Sequence, residues 1–451
     1  MFGQSTALSD KINALIETLP KGSEVGISAY DLTTGSELYS YRGDKLSRPA
    51  STMKLLTAVT ALDCQLPDSS FCTAIYHDGT LANDTLHGNL YVVGGFDPEF
   101  DDDDMDSLVA KVASLPFSVV SGNIYGDVSM KDSLYWGRGW AWDDTPDYYQ
   151  PYLSPLMLSK GTIKVTASPG AHRGDKANVV CKPYSSYYNV INNTRTCTPS
   201  AGAFGVTRDW LVNGNNVVVS GDVSNNVSAE INIYSSQDLF MHVFMERLAK
   251  CGVSLPDSYS FAELPSDTTV VNIATNVTPL QNVIVRMMKK SDNLNAEALL
   301  HRVGAYTSGK RYVSASDGLR ETCEMLRRAG CNPSDYKFVD GSGLSNYDYL
   351  SPSLLVSVLR YAYSKTDVFR RLYKALPVAG VDGTLRNRMK GGKAYKNVHA
   401  KTGSYTAINA LTGYLRRSDG HYVAFAIMNQ NILSAAAARQ FQDKVCHLLC
   451  E

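Results

Sequence analysis

The chain has 451 residues, too many for one ordinary hydrophobic core, so two or three domains are expected. Its hydrophobic content of 44% is that of a soluble globular protein, and a net charge of −1 offers no basic field for nucleic acid or anionic lipid. The longest clean apolar run, Tyr422 to Met428, is far too short for a membrane span. Met1-Phe2-Gly3-Gln4-Ser5 opens no basic-led hydrophobic segment and reads as a mature start, from which an export signal has been removed. Among the nine cysteines, Cys64/Cys72, Cys181/Cys197 and Cys323/Cys331 lie close together across mostly polar or turn-forming residues, which suits short-loop disulfides in an oxidising compartment. Reduced, buried thiols are the alternative; zinc is disfavoured, since there is no Cys-x-x-Cys pair.

Apolar residues at helical spacing (Leu8, Ile12, Leu15, Ile16, Leu19) predict a first helix over 7–19. A hairpin follows, Glu24 to Tyr30 and Glu37 to Tyr41 around Asp31-Leu32-Thr33-Thr34-Gly35. A helix is predicted from about Ser51 through Leu62. From about 74 to 235, strand-like stretches alternate with Gly/Asn/Asp turns, before a helix at Gln237 to Lys250. Helical patterning returns near Leu280–Met288, Ala296–Val303, Asp317–Arg328 and Pro352–Tyr363. Strands near Val398–Ile408, Leu411–Leu415 and Tyr422–Met428 precede a last helix, Leu433 to Leu449. The pattern implies an antiparallel sheet covered by helices, in a domain split by a β-rich insertion.

Three short motifs can carry chemistry. Ser51-Thr52-Met53-Lys54 places a hydroxyl and an amine three residues apart on one helical face, where a lysine of lowered pKa can serve as the serine's base. Alone, Ser51 reads better as a helix N-cap, and Ser334-Asp335-Tyr336-Lys337 repeats the pattern. Ser291-Asp292-Asn293 sits between two helical stretches, where a loop can aim polar groups into a cleft; alone it reads as a capped turn. Lys401-Thr402-Gly403-Ser404 lies on a strand, where Lys401 and Thr402 can hold a carboxylate and Gly403 admits a ligand close to the backbone. His399 reads as a structural or substrate-lining strand residue, and the absence of a Gly-x-Ser-x-Gly elbow disfavours a Ser-His-Asp hydrolase. Asp101-Asp102-Asp103-Asp104 reads as a solvated loop rather than a calcium site. Tyr148, Tyr149 and Tyr152 read as packing at a domain junction, with a glycan-lining surface as the alternative.

In this order the three motifs resemble those of the β-lactamases and penicillin-binding proteins. The separation of 240 positions between Ser51 and Ser291 resembles that of the low-molecular-mass class C penicillin-binding proteins, the D-alanyl-D-alanine carboxypeptidase/endopeptidase (DacB-like) family. Gly122–Asp127, Gly139–Asp144, Asp340–Ser345 and Gly380–Leu385 agree with that family. The resemblance implies an α+β fold: a penicillin-recognising serine transferase/β-lactamase-like domain formed by residues 1–73 and 268–451, with a β-rich two-part insertion over 74–267. It implies a serine hydrolase of peptidoglycan stem peptides, periplasmic or otherwise extracytoplasmic, acylated by β-lactams, needing neither cofactor nor metal and binding no nucleic acid. Ser51 is then the nucleophile, Lys54 its base, Ser291 the proton relay and Asn293 the positioning group. Lys401 and Thr402 would take the terminal carboxylate, beside Gly403, with Ser51 and Ser404 backbone N–H groups as the oxyanion hole. Family members often carry Arg where this chain has Asn346 and Asp where it has Tyr135, positions associated with gripping the diaminopimelate side chain; here that grip would be less ionic. A serine β-lactamase and a non-catalytic peptidoglycan-binding scaffold are the competing readings.

Overall fold

The computed structural model describes residues 2–197, 202–266 and 270–451. Its central layer is a five-stranded antiparallel sheet in the order His399–Tyr405, Ile408–Arg416, Tyr422–Gln430, Glu24–Asp31, Ser36–Tyr41. Ile408–Arg416 and Tyr422–Gln430 are buried on both faces, as their near-continuous apolar sequence requires. One face is covered by the terminal helices Phe2–Glu17 and Ala435–Leu449, whose contact layer includes Ile12, Phe441 and Val445. The other carries Pro352–Ser364 and the helix Lys54–Asp63, in which every residue from Lys54 to Leu62 is buried. A helix enclosed on all sides is mostly apolar all round, and Lys54 is the charged residue among its buried ones, with Thr57 and Thr60 buried as hydrogen-bonded hydroxyls. The fold is α+β.

The chain leaves this layer after Asp63. Phe71–His77 enters a second five-stranded sheet, ordered Tyr259–Phe261, Ile124–Asp127, Leu90–Gly94, Phe71–His77, Val271–Thr278, which mixes parallel and antiparallel pairs. Three small sheets of three strands each and the helices Asp102–Ala113 and Ser236–Lys250 complete this part around its own apolar core. Val271–Thr278 pairs with Phe71–His77 along its length, and Leu280–Lys290 returns the chain to the helical layer.

Several sequence expectations change. Asp101–Asp104 is not a solvated loop: Asp101 caps the helix Asp102–Ala113 by accepting from the N–H groups of Asp103 and Asp104, and the acids suit a helix N-terminus. The amphipathic helix Thr366–Ala375 was not anticipated. The three expected disulfides do not form, since Cys64, Cys72, Cys181, Cys323 and Cys331 are free thiols. Burial raises the pKa of each, and Cys64 turns its Sγ to its own helix, 3.5 Å from the Ala61 carbonyl. Among the described residues no helix is long and apolar enough to cross a membrane.

Candidate active site

The start of the Lys54 helix sets the geometry. Ala50–Met53 forms a tight 3-10 turn that runs directly into Lys54–Asp63, putting Ser51 and Lys54 on one side. Lys54 Nζ lies 3.0 Å from Ser51 Oγ and donates to Asn293 Oδ1 and the Ser342 carbonyl, both at 2.7 Å. Burial lowers the Lys54 pKa to about 8 despite the opposing pull of Asp340, Glu297 and Asp292. A neutral amine has two N–H bonds and one lone pair. The two acceptors use the N–H bonds, and the lone pair faces the Ser51 hydroxyl.

Ser291 and Asn293 flank the break between the helices Leu280–Lys290 and Asn293–Ser308. Ser291 takes a left-handed conformation (φ 60°) that ends the first helix, and Asp292 caps the second by accepting from Asn295 N–H at 3.1 Å. Ser291 Oγ accepts from Lys401 Nζ at 2.8 Å, and Asn293 Nδ2 donates to the Tyr149 carbonyl at 2.7 Å. Lys401 is fully buried, and its pKa falls well below the usual lysine value through burial and then through repulsion from Lys54.

His399–Tyr405 is an edge strand. Backbone bonds from Ala379 and Ala400 to the carbonyls of Val398 and Pro377 cover its first residues, while Ser404 and Tyr405 further along line the cleft. Gly403 brings this strand against the turn that carries Ser51: a Cβ there would sit 2.6 Å from the Pro49 carbonyl oxygen and 3.1 Å from Ser51 N. Thr402 Oγ1 donates to Thr384 Oγ1 at 2.9 Å, and Ser404 Oγ to Asn409 Oδ1 at 3.0 Å.

The three motifs therefore converge on one cleft of about 670 Å³, whose lining includes Ser51, Ser291, Asn293 and Ser404. Tyr135 and Asn346 are not brought there. Tyr135 stacks on Tyr152 with ring centroids 4.4 Å apart, and Asn346 is exposed, its N–H bonded to the Gly139 carbonyl. Charged and aromatic side chains at Asp144, Tyr148, Tyr149, Arg286 and Lys290 line the cleft instead. Tyr148 and Tyr149 are thus more than junction packing, whereas Tyr152 is buried. His399 stacks on Tyr373 at 4.0 Å, a structural role.

Sequence reasoning missed the support beneath Lys54. Glu297 Oε1 accepts from the N–H groups of Gly341 and Ser342 at 3.0 and 2.9 Å, and Asp340 accepts from those of Gly343 and Ser345 at 2.7 and 2.8 Å. These bonds aim the Ser342 carbonyl at Lys54. Burial, reinforced by the charge of Asp340, raises the pKa of both Glu297 and Asp348. The Asp340–Ser345 stretch was visible in the sequence, but its role depends on backbone groups that side-chain patterns do not show.

Residues 8–451 match the D-Ala-D-Ala carboxypeptidase 3 (S13) family model. This chain belongs to that family. The S13 enzyme is a serine-type D-Ala-D-Ala carboxypeptidase, a hydrolase. It is 31% identical to the D-alanyl-D-alanine carboxypeptidase of Actinomadura sp. (strain R39), over 99% of this chain and 85% of that one. It is 27% identical to the carboxypeptidase DacB of Haemophilus influenzae, over 94% and 89% of the two chains. Its fold is similar to the crystal structure of penicillin binding protein 4 (dacB) from H. influenzae, with a TM-score of 0.86 at 24% identity over 98% of this chain and 99% of the other.

Proposed function

We propose that the S13 enzyme cleaves peptidoglycan stem peptides on the carboxyl side of a D-amino acid through an ester on Ser51, as a carboxypeptidase and as an endopeptidase. The observation that carries this reading is the Lys54 amine, with both N–H bonds taken by Asn293 Oδ1 and the Ser342 carbonyl and its third position 3.0 Å from Ser51 Oγ. Neutral Lys54 takes the Ser51 proton as Oγ attacks the penultimate D-alanine carbonyl. The N–H groups of Ser51 and Ser404 stabilise the oxyanion, and Lys401 and Thr402 receive the substrate's terminal carboxylate. As the C–N bond breaks, Ser291 relays to the departing nitrogen the proton that Ser51 lost. Asn293 orients Lys54 and the substrate amide. Water then hydrolyses the ester and restores the Ser51 hydroxyl. The cleft lining supports a stem-peptide contact surface at Asp144, Tyr149 and Lys290 rather than at Tyr135 and Asn346.

Such a substrate lies outside the cytoplasm, which supports a periplasmic or extracytoplasmic location. The pairing of Val271–Thr278 with Phe71–His77 supports a catalytic unit whose boundaries lie near 70 and 279 rather than at 73 and 268.

The test is intact-mass analysis after penicillin treatment. A stable adduct present in the enzyme and absent from Ser51→Ala is expected; an adduct that survives the substitution overturns the assignment, and rapid loss of the adduct favours a β-lactamase. Digestion of purified peptidoglycan then separates the two activities: D-alanine released from pentapeptides is carboxypeptidase action, and conversion of dimers to monomers is endopeptidase action.

A further inference from the structure

Peptidoglycan is a glycan as well as a peptide. We infer that Trp142, on the turn that leads into the catalytic cleft, and Trp210 beside it form a platform on which sugar rings of the substrate's glycan strand stack. This deepens the peptidoglycan reading and rests on it. The two indoles lie 5.2 Å apart at 39°, on separate short 3-10 turns, Trp142–Asp144 and Trp210–Val212. Trp142 is 70% exposed, and beside Trp210 the side chains of Leu211 and Val212 are 74% and 77% exposed. Large apolar groups clustered in solvent mark a surface that something covers.

The platform is held rigidly. Gln150 Nε2 donates to the Ala141 carbonyl at 2.7 Å, and its own carbonyl accepts from Asn232 Nδ2 at 2.8 Å. Buried Arg208 donates from Nη2 to Asn232 Oδ1 at 2.9 Å and from Nη1 to the Gly214 carbonyl at 3.0 Å. One buried pair, Arg208 and Asn232, therefore pins both tryptophan turns. The first turn is also continuous with the catalytic cleft. Its Asp144 lines the cleft, and Tyr149, further along the same segment, holds Asn293 through its carbonyl.

Charge selects the occupant. The segments 142–147 and 209–213 carry four aspartates, Asp143, Asp144, Asp147 and Asp209, and no lysine or arginine. An anionic bilayer surface is repelled by such a rim. An N-acetylated sugar whose only carboxyl is tied up in the amide to the stem peptide is uncharged. Its C–H face suits an indole, and its hydroxyls can donate to the flanking carboxylates.

Trp142→Ala, Trp210→Ala and Trp142→Tyr, each checked for an unchanged thermal midpoint, test this with two substrates. On a soluble tripeptide ending in D-Ala-D-Ala, all variants should match the parent. On intact sacculi the alanine variants should lose about tenfold in kcat/KM, chiefly through KM, and Trp142→Tyr should retain most of the activity. Titration with uncharged oligomers of N-acetylglucosamine, followed by tryptophan fluorescence, reads the platform without catalysis. Quenching that Trp142→Ala abolishes supports it even if the tripeptide is not cleaved, whereas no quenching in the parent overturns it. Parental activity of the alanine variants on sacculi, or a loss confined to binding of phosphatidylglycerol vesicles, also overturns it.

Discussion

Lys54 is buried without a carboxylate hydrogen-bond partner, and its chemistry follows from that. An ammonium in this position has lost its hydration and gains only distant attraction from Asp340, Glu297 and Asp292, so burial wins and the pKa falls to about 8. In the proposed mechanism the working base is the neutral form, whose population grows as pH rises. The rate constant for acylation by penicillin should therefore climb about tenfold per pH unit below this value and level off above about 8, in stopped-flow or quenched mass measurements. Lys54→Met should remove this limb and cost about 10²–10⁴-fold in acylation. The convergence of Ser51, Lys54, Ser291, Asn293 and Lys401 was legible in the sequence because each motif is a short run of recognisable side chains. The Ser342 and Tyr149 carbonyls were not, since every residue carries such a group. Ser342 is also 288 positions from Lys54, and Tyr149 is 144 from Asn293.

At the scale of elements, the cleft depends on how closely an edge strand can approach the turn that carries Ser51. Gly403 sets that approach. Gly403→Ala places a methyl 2.6 Å from the Pro49 carbonyl oxygen and 3.1 Å from Ser51 N, and backbone on both sides leaves little room to yield. The strand must move out, taking Ser404 and the residues proposed to bind the carboxylate, Lys401 and Thr402, with it. Acylation should fall about 10²-fold, the scale of a misplacement near 1 Å, while circular dichroism stays native. Gly343 makes a similar close approach from the other side, where a Cβ would lie 2.0 Å from the Ala50 carbonyl oxygen at φ +73°. Gly343→Ala should lower the unfolding free energy by about 1–3 kcal/mol in urea titration. The sequence showed the glycine of Lys401-Thr402-Gly403 but suggested room for a ligand; its demand comes from the protein's own backbone. The same limit explains the helix Asp102–Ala113: four consecutive aspartates read as solvated surface, and only the apolar spacing of Met105, Leu108, Val109 and Val112 marks the helix behind the cap.

Across the whole molecule, the chain between Asp63 and Leu280 helps to build the candidate site. Tyr149 holds Asn293, and Lys160 reaches back to Asp292 at 3.1 Å and Asn295 Oδ1 at 2.7 Å while also binding Glu99 at 2.9 Å. Asp292 is partly buried; burial alone would raise its pKa, yet Lys160 and the cap bond to Asn295 bring it below the ordinary value. Lys160→Met keeps the burial and removes the nearest cation. Arg286 remains at 3.6 Å but is half exposed, so it compensates only in part. The variant should lose about 3 kcal/mol of stability at neutral pH, the scale for stranding one member of a buried pair. The pH dependence distinguishes this cause from lost packing. In the parent, a depressed Asp292 pKa stabilises the fold above the unfolded value near 3.9 and ceases to do so as pH falls through the folded value. In Lys160→Met the folded pKa rises, so the partly buried acid becomes tolerable once protonated. The stability gap between the two proteins should narrow as pH drops below about 4, and a gap independent of pH would assign the loss to packing. Because Asp292 sits between Ser291 and Asn293, acylation by penicillin should weaken in the same variant, although Lys160 lies far in sequence from all three motifs.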